Sequence, residues 1–275
     1  MTVYTRDQGE AIAGAAREMG DKALIHVKVD TGMGRIGFWP GEEAIAGIKA
    51  LAAMDALTLE GCFTHFACAD ESADESWQAQ LLLFQEFLDR LKEQGVSFPV
   101  AHCANTAAGM RSASARMDMV RAGIGIGGLY PSAQAKAWGV VDLEPALSWR
   151  SILSHVKLLP KGCGVGYGHT WIAQKDTLIG TVPVGYADGY TKALENKGVV
   201  LVGGKRIPVV GRVCMDQFMV DLTDAPYASS GDKVVLIGRQ GEEEISADEL
   251  SALAGTTCYE TVNRISDRVP RVYTG

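Results

Sequence analysis

The sequence predicts an α/β fold followed by a mostly β domain. Up to about residue 140, short apolar runs alternate with longer helical patterns, and after it come short strands separated by glycine-rich turns. At 275 residues, 47% apolar and 21% charged, the chain can bury a core in each of two domains. The expected division is 1–140 and 141–275.

In the first domain, Ala23 to Asp30, Leu57 to His65, Pro99 to Asn105 and Met119 to Ile124 read as strands rich in Val, Ile and Leu, buried on both faces. Helices are expected over 6–19, 41–54 and 75–94, where apolar residues recur at spacings of three and four, as in Leu81, Phe84, Phe87, Leu88 and Leu91. This order means repeated βα units. Pattern alone does not separate an open sheet from a barrel, and a complete barrel needs eight strands and about 250 residues.

In the second domain, strands are expected within SILSHVKLL, TLIGTVPVGYADGY, GVVLVGGKRIPVVG, VCMDQFMVDL and DKVVLIG. The alternation from Val213 to Asp221 is imperfect, so its register stays open. Ser246 to Glu249 form a capping box that opens a short helix through Leu253, with Gly255 as its stop.

A net charge of -7 provides no basic stripe for phosphate backbones, so nucleic acid is not an expected partner. The six cysteines lack the spacing of a zinc set or a disulfide framework, so no metal is expected and a reducing cytoplasm fits. No window approaches the roughly 20 apolar residues of a membrane span.

Chemistry gathers at the ends of the predicted strands. Lys28 to Arg35 place charged and small residues where a parallel strand runs into its loop, the end at which barrels collect catalytic groups. Thr64 with His65, His102 with Asn105 and Thr106, and Arg121 before Gly123 repeat that placement. A lone buried histidine is usually a hydrogen-bonded core residue, and a glycine-rich turn with a surface arginine is the plain alternative at Arg35. Four polar strand ends in succession are hard to explain by packing, so they are expected to converge. Arg121 to Gly125 pair a cation with backbone free to approach a phosphate. In the second domain, Gly162 to Thr170 set Tyr167 in a small, flexible loop, either a proton-transfer group or an ordinary turn tyrosine.

The segments KVDTGMGRIGF, EGCFTHFACADE, HCANTAAG, VRAGIGIGGLYPS, GVGYGHTW, PVGYADGY, VVGRVCMDQFMVD and DRVPRVY occur in the order, and at roughly the separations, seen in alanine racemases. The chain resembles that fold-type III pyridoxal-phosphate family over essentially its whole length. The resemblance implies a (β/α)8 barrel followed by a β domain, of which the four strands would be the C-terminal half. It implies racemisation of alanine on pyridoxal 5'-phosphate, supplying D-alanine for peptidoglycan, by a cytoplasmic homodimer with its active site at the interface. Tyr167 would be the base on the L face, acting on the partner's cofactor, and Tyr186 the gate at the entrance. Arg35 and the Met215 backbone would hold the substrate carboxylate, with Lys28, matching a lysine that is often carbamylated, orienting Arg35. Arg121 would bond the pyridine nitrogen, His65 and His102 would support it, and Thr106, Gly123 and Ile124 would hold the phosphate.

Two departures stand out. Asp267 occupies a position where the family usually places a phosphate-binding tyrosine. Nothing in the chain matches the family's VxKANAYGHG, which carries the cofactor-bearing lysine and second base. The expectation is therefore an N-terminally truncated racemase, inactive as written, with a silent assembly module or half of a split racemase as alternatives.

Overall fold

The structure is a computed structural model, and its described residues are 1–71 and 76–274. They divide into two units, Met1–Ile126 with Tyr130–Leu143, and Gly127–Leu129 with Glu144–Gly275.

The first unit opens on β1 (Thr2–Val3) and α1 (Arg6–Met19), whose cap Thr5 accepts from the Gln8 N–H and whose stop, Gly20, is left-handed. Then come β2 (Ala23–Lys28), α2 (Glu42–Ala52), β3 (Leu57–Phe63), α3 (Ser76–Glu93) and β4 (Val100–His102). The predicted start of the third helix, Glu75, lies outside the described residues. The four strands pair in parallel in the order β1-β2-β3-β4, as βα crossovers require. Ile25, Val27, Ile48, Leu51, Phe84, Phe87 and Leu91 form the core beneath them, each at most 1% exposed. Burial of one such side chain contributes about 2 kcal/mol.

Two predicted features change. Thr2–Val3 is a strand that the sequence did not announce, and Met119 to Ile124 is not one. The Asp118 N–H bonds to Ala101 O and the Arg121 N–H to Ala104 O, three residues apart along both chains, whereas a ladder repeats every two. The Asp118 side chain takes the Ala101 N–H that a neighbouring strand would have used. After β4 the chain forms α4 (Thr106–Arg111), α5 (Ala113–Arg116), a 3-10 turn over Ile124–Gly127 and α6 (Ala133–Ala137). Among the described residues the parallel sheet is open, with β1 and β4 at its edges.

The second unit is β5 (Trp149–Ile152), β6 (His155–Leu159), β7 (Gly164–Val165), β8 (Trp171–Ile172), β9 (Thr177–Val182), β10 (Val199–Val202), β11 (Lys205–Val210), β12 (Phe218–Asp221), β13 (Lys233–Gln240), β14 (Glu243–Ile245), α7 (Ala247–Ala254) and α8 (Cys258–Arg264). Its main sheet runs β14-β13-β10-β11-β12-β9-β6, with β5 also on β13. SILSHVKLL breaks into two strands at Leu153–Ser154. VCMDQFMVDL is a strand only from Phe218, where Phe218 and Val220 face the core; the stretch before it is loop. The Ser246 cap forms as predicted, accepting from the Glu249 N–H.

Among the described residues, no helix is long and apolar enough to cross a membrane.

Candidate active site

Parallel pairing sets Lys28 beside Phe63 and Phe63 beside His102, at the carboxyl ends of three adjacent strands. Residues in register share a face, so one patch of the sheet carries an ammonium, an aromatic ring and an imidazole. His102 stacks on Phe63 with 4.9 Å between centroids. Arg121 lies over the same ring at 5.2 Å and Lys28 at 5.6 Å.

Arg121 organises the patch. Its Nη1 donates to His102 Nδ1 at 2.6 Å, and its Nη2 donates to Thr64 O at 2.8 Å, His65 Nδ1 at 3.2 Å and Cys103 O at 3.3 Å. A guanidinium only donates, so both imidazoles accept through Nδ1 and carry their proton on Nε2. Burial, reinforced by the Arg121 charge, pushes His65 and His102 down to about 4, which keeps them neutral at pH 7. His102 Nε2 then donates to His26 Nδ1 at 2.9 Å, and His26 Nε2 reaches Glu60 Oε2 at 3.2 Å. The result is a directed chain from a guanidinium to a carboxylate. Gly61 makes it possible, because a Cβ there would overlap the His26 ring.

Lys28 is 1% exposed, and its Nζ donates to Val29 O at 2.8 Å. Burial, with Arg121 and Arg35 assisting and Asp30 opposing, pushes it down to about 8. Arg35 itself is exposed, on a loop whose shape comes from Asp30. That carboxylate accepts three backbone N–H bonds, from Gly32, Gly34 and Arg35, each at 3.0 Å. Burial works to raise the Asp30 carboxyl, but these donors and Lys28 outweigh it and hold it below its ordinary value. The loop closes where the Asp30 N–H meets Phe38 O and the Phe38 N–H meets Lys28 O.

Thr106 is buried, and its Oγ1 accepts from the Gly123 N–H at 2.9 Å. A Cβ on Gly125 would come within 2.8 Å of the Thr106 methyl, so the Gly123–Gly125 backbone closes over the hydroxyl. Ile124 begins the 3-10 turn.

In the second unit Tyr167 is 71% exposed at the start of a 3-10 turn and borders a cleft of about 480 Å³ with Lys157, Thr181, Cys214, Gln217 and Met219. Tyr186 and Met215, 46% and 53% exposed, belong to two loops bonded to one another. The Tyr186 N–H meets Cys214 O and the Ala187 N–H meets Met215 O, both at 3.0 Å. A Cβ on Gly185 would overlap the Met215 carbonyl, so only glycine permits this approach. Arg268 binds Asp216 at 2.7 Å and Asp188 at 3.4 Å, while Asp188 accepts the Gly185 N–H at 2.8 Å. Asp267, next in line, is exposed.

The structure thus gathers Lys28, His65, His102 and Arg121 around Phe63 and Thr64, sets Thr106 against Gly123, and joins the loops of Tyr186 and Met215. Sequence reasoning passed over His26, Glu60, Phe63, Asp30, Asp188 and Arg268. His26 could have been found, since it lies two residues before Lys28 on the same strand face; the others act through loops and packing.

Family models match both parts of the chain: the alanine racemase N-terminal domain over residues 1–131 and the C-terminal domain over 146–273. The alanine racemase of Desulforamulus reducens is 44% identical over 275 residues, covering 100% of this chain and 73% of that protein. Alanine racemase 2 of Bacillus subtilis is 45% identical over 254 residues, 92% of this chain and 64% of its own length. Among solved structures, alanine racemase from Clostridium difficile 630 superposes with a TM-score of 0.92 at 39% identity, over 100% of this chain and 70% of that one. The Bacillus anthracis alanine racemase with bound L-Ala-P gives 0.92 at 40% identity, again over 100% and 70%. The chain belongs to the alanine racemase family, isomerases dependent on pyridoxal phosphate. Because models of both domains match, the comparisons do not by themselves carry the expectation of an N-terminally shortened racemase. Nor do they support an inactive chain, a silent assembly module or half of a split enzyme.

The residues fit that cofactor. Among the described residues, no carboxylate lies within ion-pair distance of Arg35 or Arg121, so two guanidiniums are left to meet an anionic ligand. Arg121 Nε has no hydrogen-bond partner among them either, a donor suited to an unprotonated ring nitrogen.

Proposed function

We propose that this chain interconverts L- and D-alanine with Tyr167 as the base on the L face, supplying D-alanine for peptidoglycan. The observation that carries the reading is the pair Arg35 and Arg121, guanidiniums with no carboxylate within ion-pair distance among the described residues, Arg121 set among neutral imidazoles. Pyridoxal phosphate, when bound, supplies an electron sink that lets the α-hydrogen of the amino acid leave as a proton. Arg121 bonds the pyridine nitrogen as a donor, which leaves that nitrogen largely unprotonated and favours proton exchange over side reactions. Thr106, Gly123 and Ile124 hold the phosphate, and His65 and His102 fix the orientation of Arg121. Lys28, carbamylated to an anion as the resemblance implies, orients Arg35, and Arg35 with the Met215 N–H holds the substrate carboxylate. Tyr167 Oη takes the proton from Cα of L-alanine and returns it in the reverse reaction, while a second base exchanges the proton on the D face.

Tyr167 does this on the cofactor of a partner subunit, with Tyr186 as gate. The outward exposure of Tyr167, Tyr186 and Met215 supports a homodimer with its active site at the interface. A cytoplasmic setting agrees with six cysteines whose spacing offers no disulfide framework. The open parallel sheet supports reading residues 1–140 as the C-terminal half of a (β/α)8 barrel and 141–275 as the β domain.

Racemisation kinetics of the holoenzyme test the carboxylate clamp. Arg35→Leu should raise KM for alanine by about 10- to 100-fold, in line with about 1.5–3 kcal/mol for a bond to a charged group, with cofactor absorbance intact. An unchanged KM removes Arg35 from the site.

A further inference from the structure

We infer that Asn196 is a positioning residue for the Tyr167 loop, its single carboxamide tying that loop to the segment that leads to Met215. The inference rests on the reading of Tyr167 as a base. Asn196 sits in the turn after a 3-10 segment, Lys192–Leu194, with φ of 55°, a left-handed conformation that asparagine tolerates better than most residues. From there its Oδ1 accepts the Gly211 N–H at 2.7 Å and its Nδ2 donates to Thr170 Oγ1 at 3.1 Å. Thr170 lies three residues after Tyr167, and Gly211 four before Met215.

Its neighbour reinforces the tie. Glu195 pairs with Arg212 at 3.5 Å, and the Arg212 guanidinium lies against the Tyr167 loop, where a Cβ on Gly168 would come 3.3 Å from Cζ. Tyr167 is 71% exposed, so little packing holds its ring, and the loop that carries it is rich in glycine. A base must reach its proton within hydrogen-bond distance, and a displacement of about 1 Å can cost roughly 100-fold in rate. In such a loop the ties at Thr170 and Arg212 do what packing does in a core.

Three variants separate the backbone from the carboxamide. Asn196→Gly keeps the left-handed turn and loses both side-chain bonds. Asn196→Asp keeps the acceptor for Gly211, and the Thr170 hydroxyl reverses to donate to it. Thr170→Val removes one tie and leaves Gly211 bonded. Amide exchange of the protein reads the loop, and solvent deuterium entering Cα of L-alanine reads the holoenzyme. In Asn196→Gly the Gly211 amide should lose protection and L-alanine exchange should fall about tenfold or more with KM unchanged, as expected for a misplaced base. Asn196→Asp should restore both to within about twofold, and Thr170→Val should lower exchange while Gly211 stays protected. Wild-type protection and exchange in Asn196→Gly would overturn the inference. Full exchange despite a loosened loop would overturn it too, provided Tyr167→Phe abolishes exchange. If Tyr167→Phe itself retains exchange, the base assignment fails, and loss and recovery of Gly211 protection still show Asn196 holding the loop.

Discussion

Lys28 is 1% exposed and His102 3%, whereas Tyr167 is 71% exposed and Met215 53%. The first unit keeps Lys28 and His102 at the ends of parallel strands, on either side of Phe63 in register and out of water, so their protonation states are set by burial and by neighbouring charges. The second carries its groups on loops, where backbone hydrogen bonds, one obligatory glycine and ion pairs such as Arg268 with Asp216 hold them. The contrast teaches that substitutions of the buried strand-end groups act on charge balance and stability, and those in exposed loops, that of Arg35 included, on the placement of groups that meet the substrate.

The largest effect should come from Arg121→Leu. It removes the donor to His102 Nδ1, His65 Nδ1, Thr64 O and Cys103 O at once. Leaving buried acceptors unpaired should cost about 3 kcal/mol, read as a fall in the denaturant midpoint at constant slope. A variant as stable as the parent would show that the patch does not depend on its guanidinium.

Gly185→Ala tests the other side of the contrast. The added methyl would overlap the Met215 carbonyl, so the two loops must part, at a cost of about 1–3 kcal/mol borne locally. KM for alanine should rise while the amides of the parallel sheet keep their protection. Loss of protection across the parallel sheet would blur the distinction between the units.

A smaller, pH-dependent effect follows from the two imidazoles. Their folded pKa values near 4 lie below the ordinary value near 6.5, so between these limits the unfolded chain binds more protons. Stability should be complete above pH 6.5 and fall as pH drops toward 4. Solvent access to His65 and the shared dependence on Arg121 keep the combined loss to about 2 kcal/mol. His102→Gln should flatten the profile in this window; an unchanged profile would assign the acid sensitivity elsewhere.

Asp30→Asn should have the least effect. One oxygen still accepts from the loop, and loss of one of the three backbone bonds costs about 1 kcal/mol. KM for alanine should rise modestly as Arg35 loses its setting, with no change in cofactor absorbance. An unaltered KM would show that Arg35 finds its place without the loop.

Much of the first unit was legible in the sequence because its chemistry sits on strands. Short runs rich in Val, Ile and Leu located three of the four strands, and their polar ends pointed to His65, His102 and Lys28. The fourth expected strand, Met119 to Ile124, does not form, because apolar composition is shared by a ladder and by a segment that bonds only at every third residue. The place of His26 on the Lys28 face was legible from its spacing, but its link to Glu60 and its need for Gly61 across the sheet are set by strand register rather than by local pattern. In the second unit the glycine-rich loop marked Tyr167, and the family resemblance alone pointed to Tyr186. The tie from Asn196 to Thr170 and Gly211 spans separations of 26 and 15 residues, which no local pattern reveals.

The most direct test of the account is solvent deuterium entering Cα of alanine in the holoenzyme, followed separately from the L and the D enantiomer. Tyr167→Phe should abolish exchange from L-alanine, with a loss of at least about 100-fold for removal of a general base, while exchange from D-alanine persists and cofactor absorbance is unchanged. Near-full exchange from L-alanine in Tyr167→Phe would contradict the account, because the L-face proton would then pass to another group.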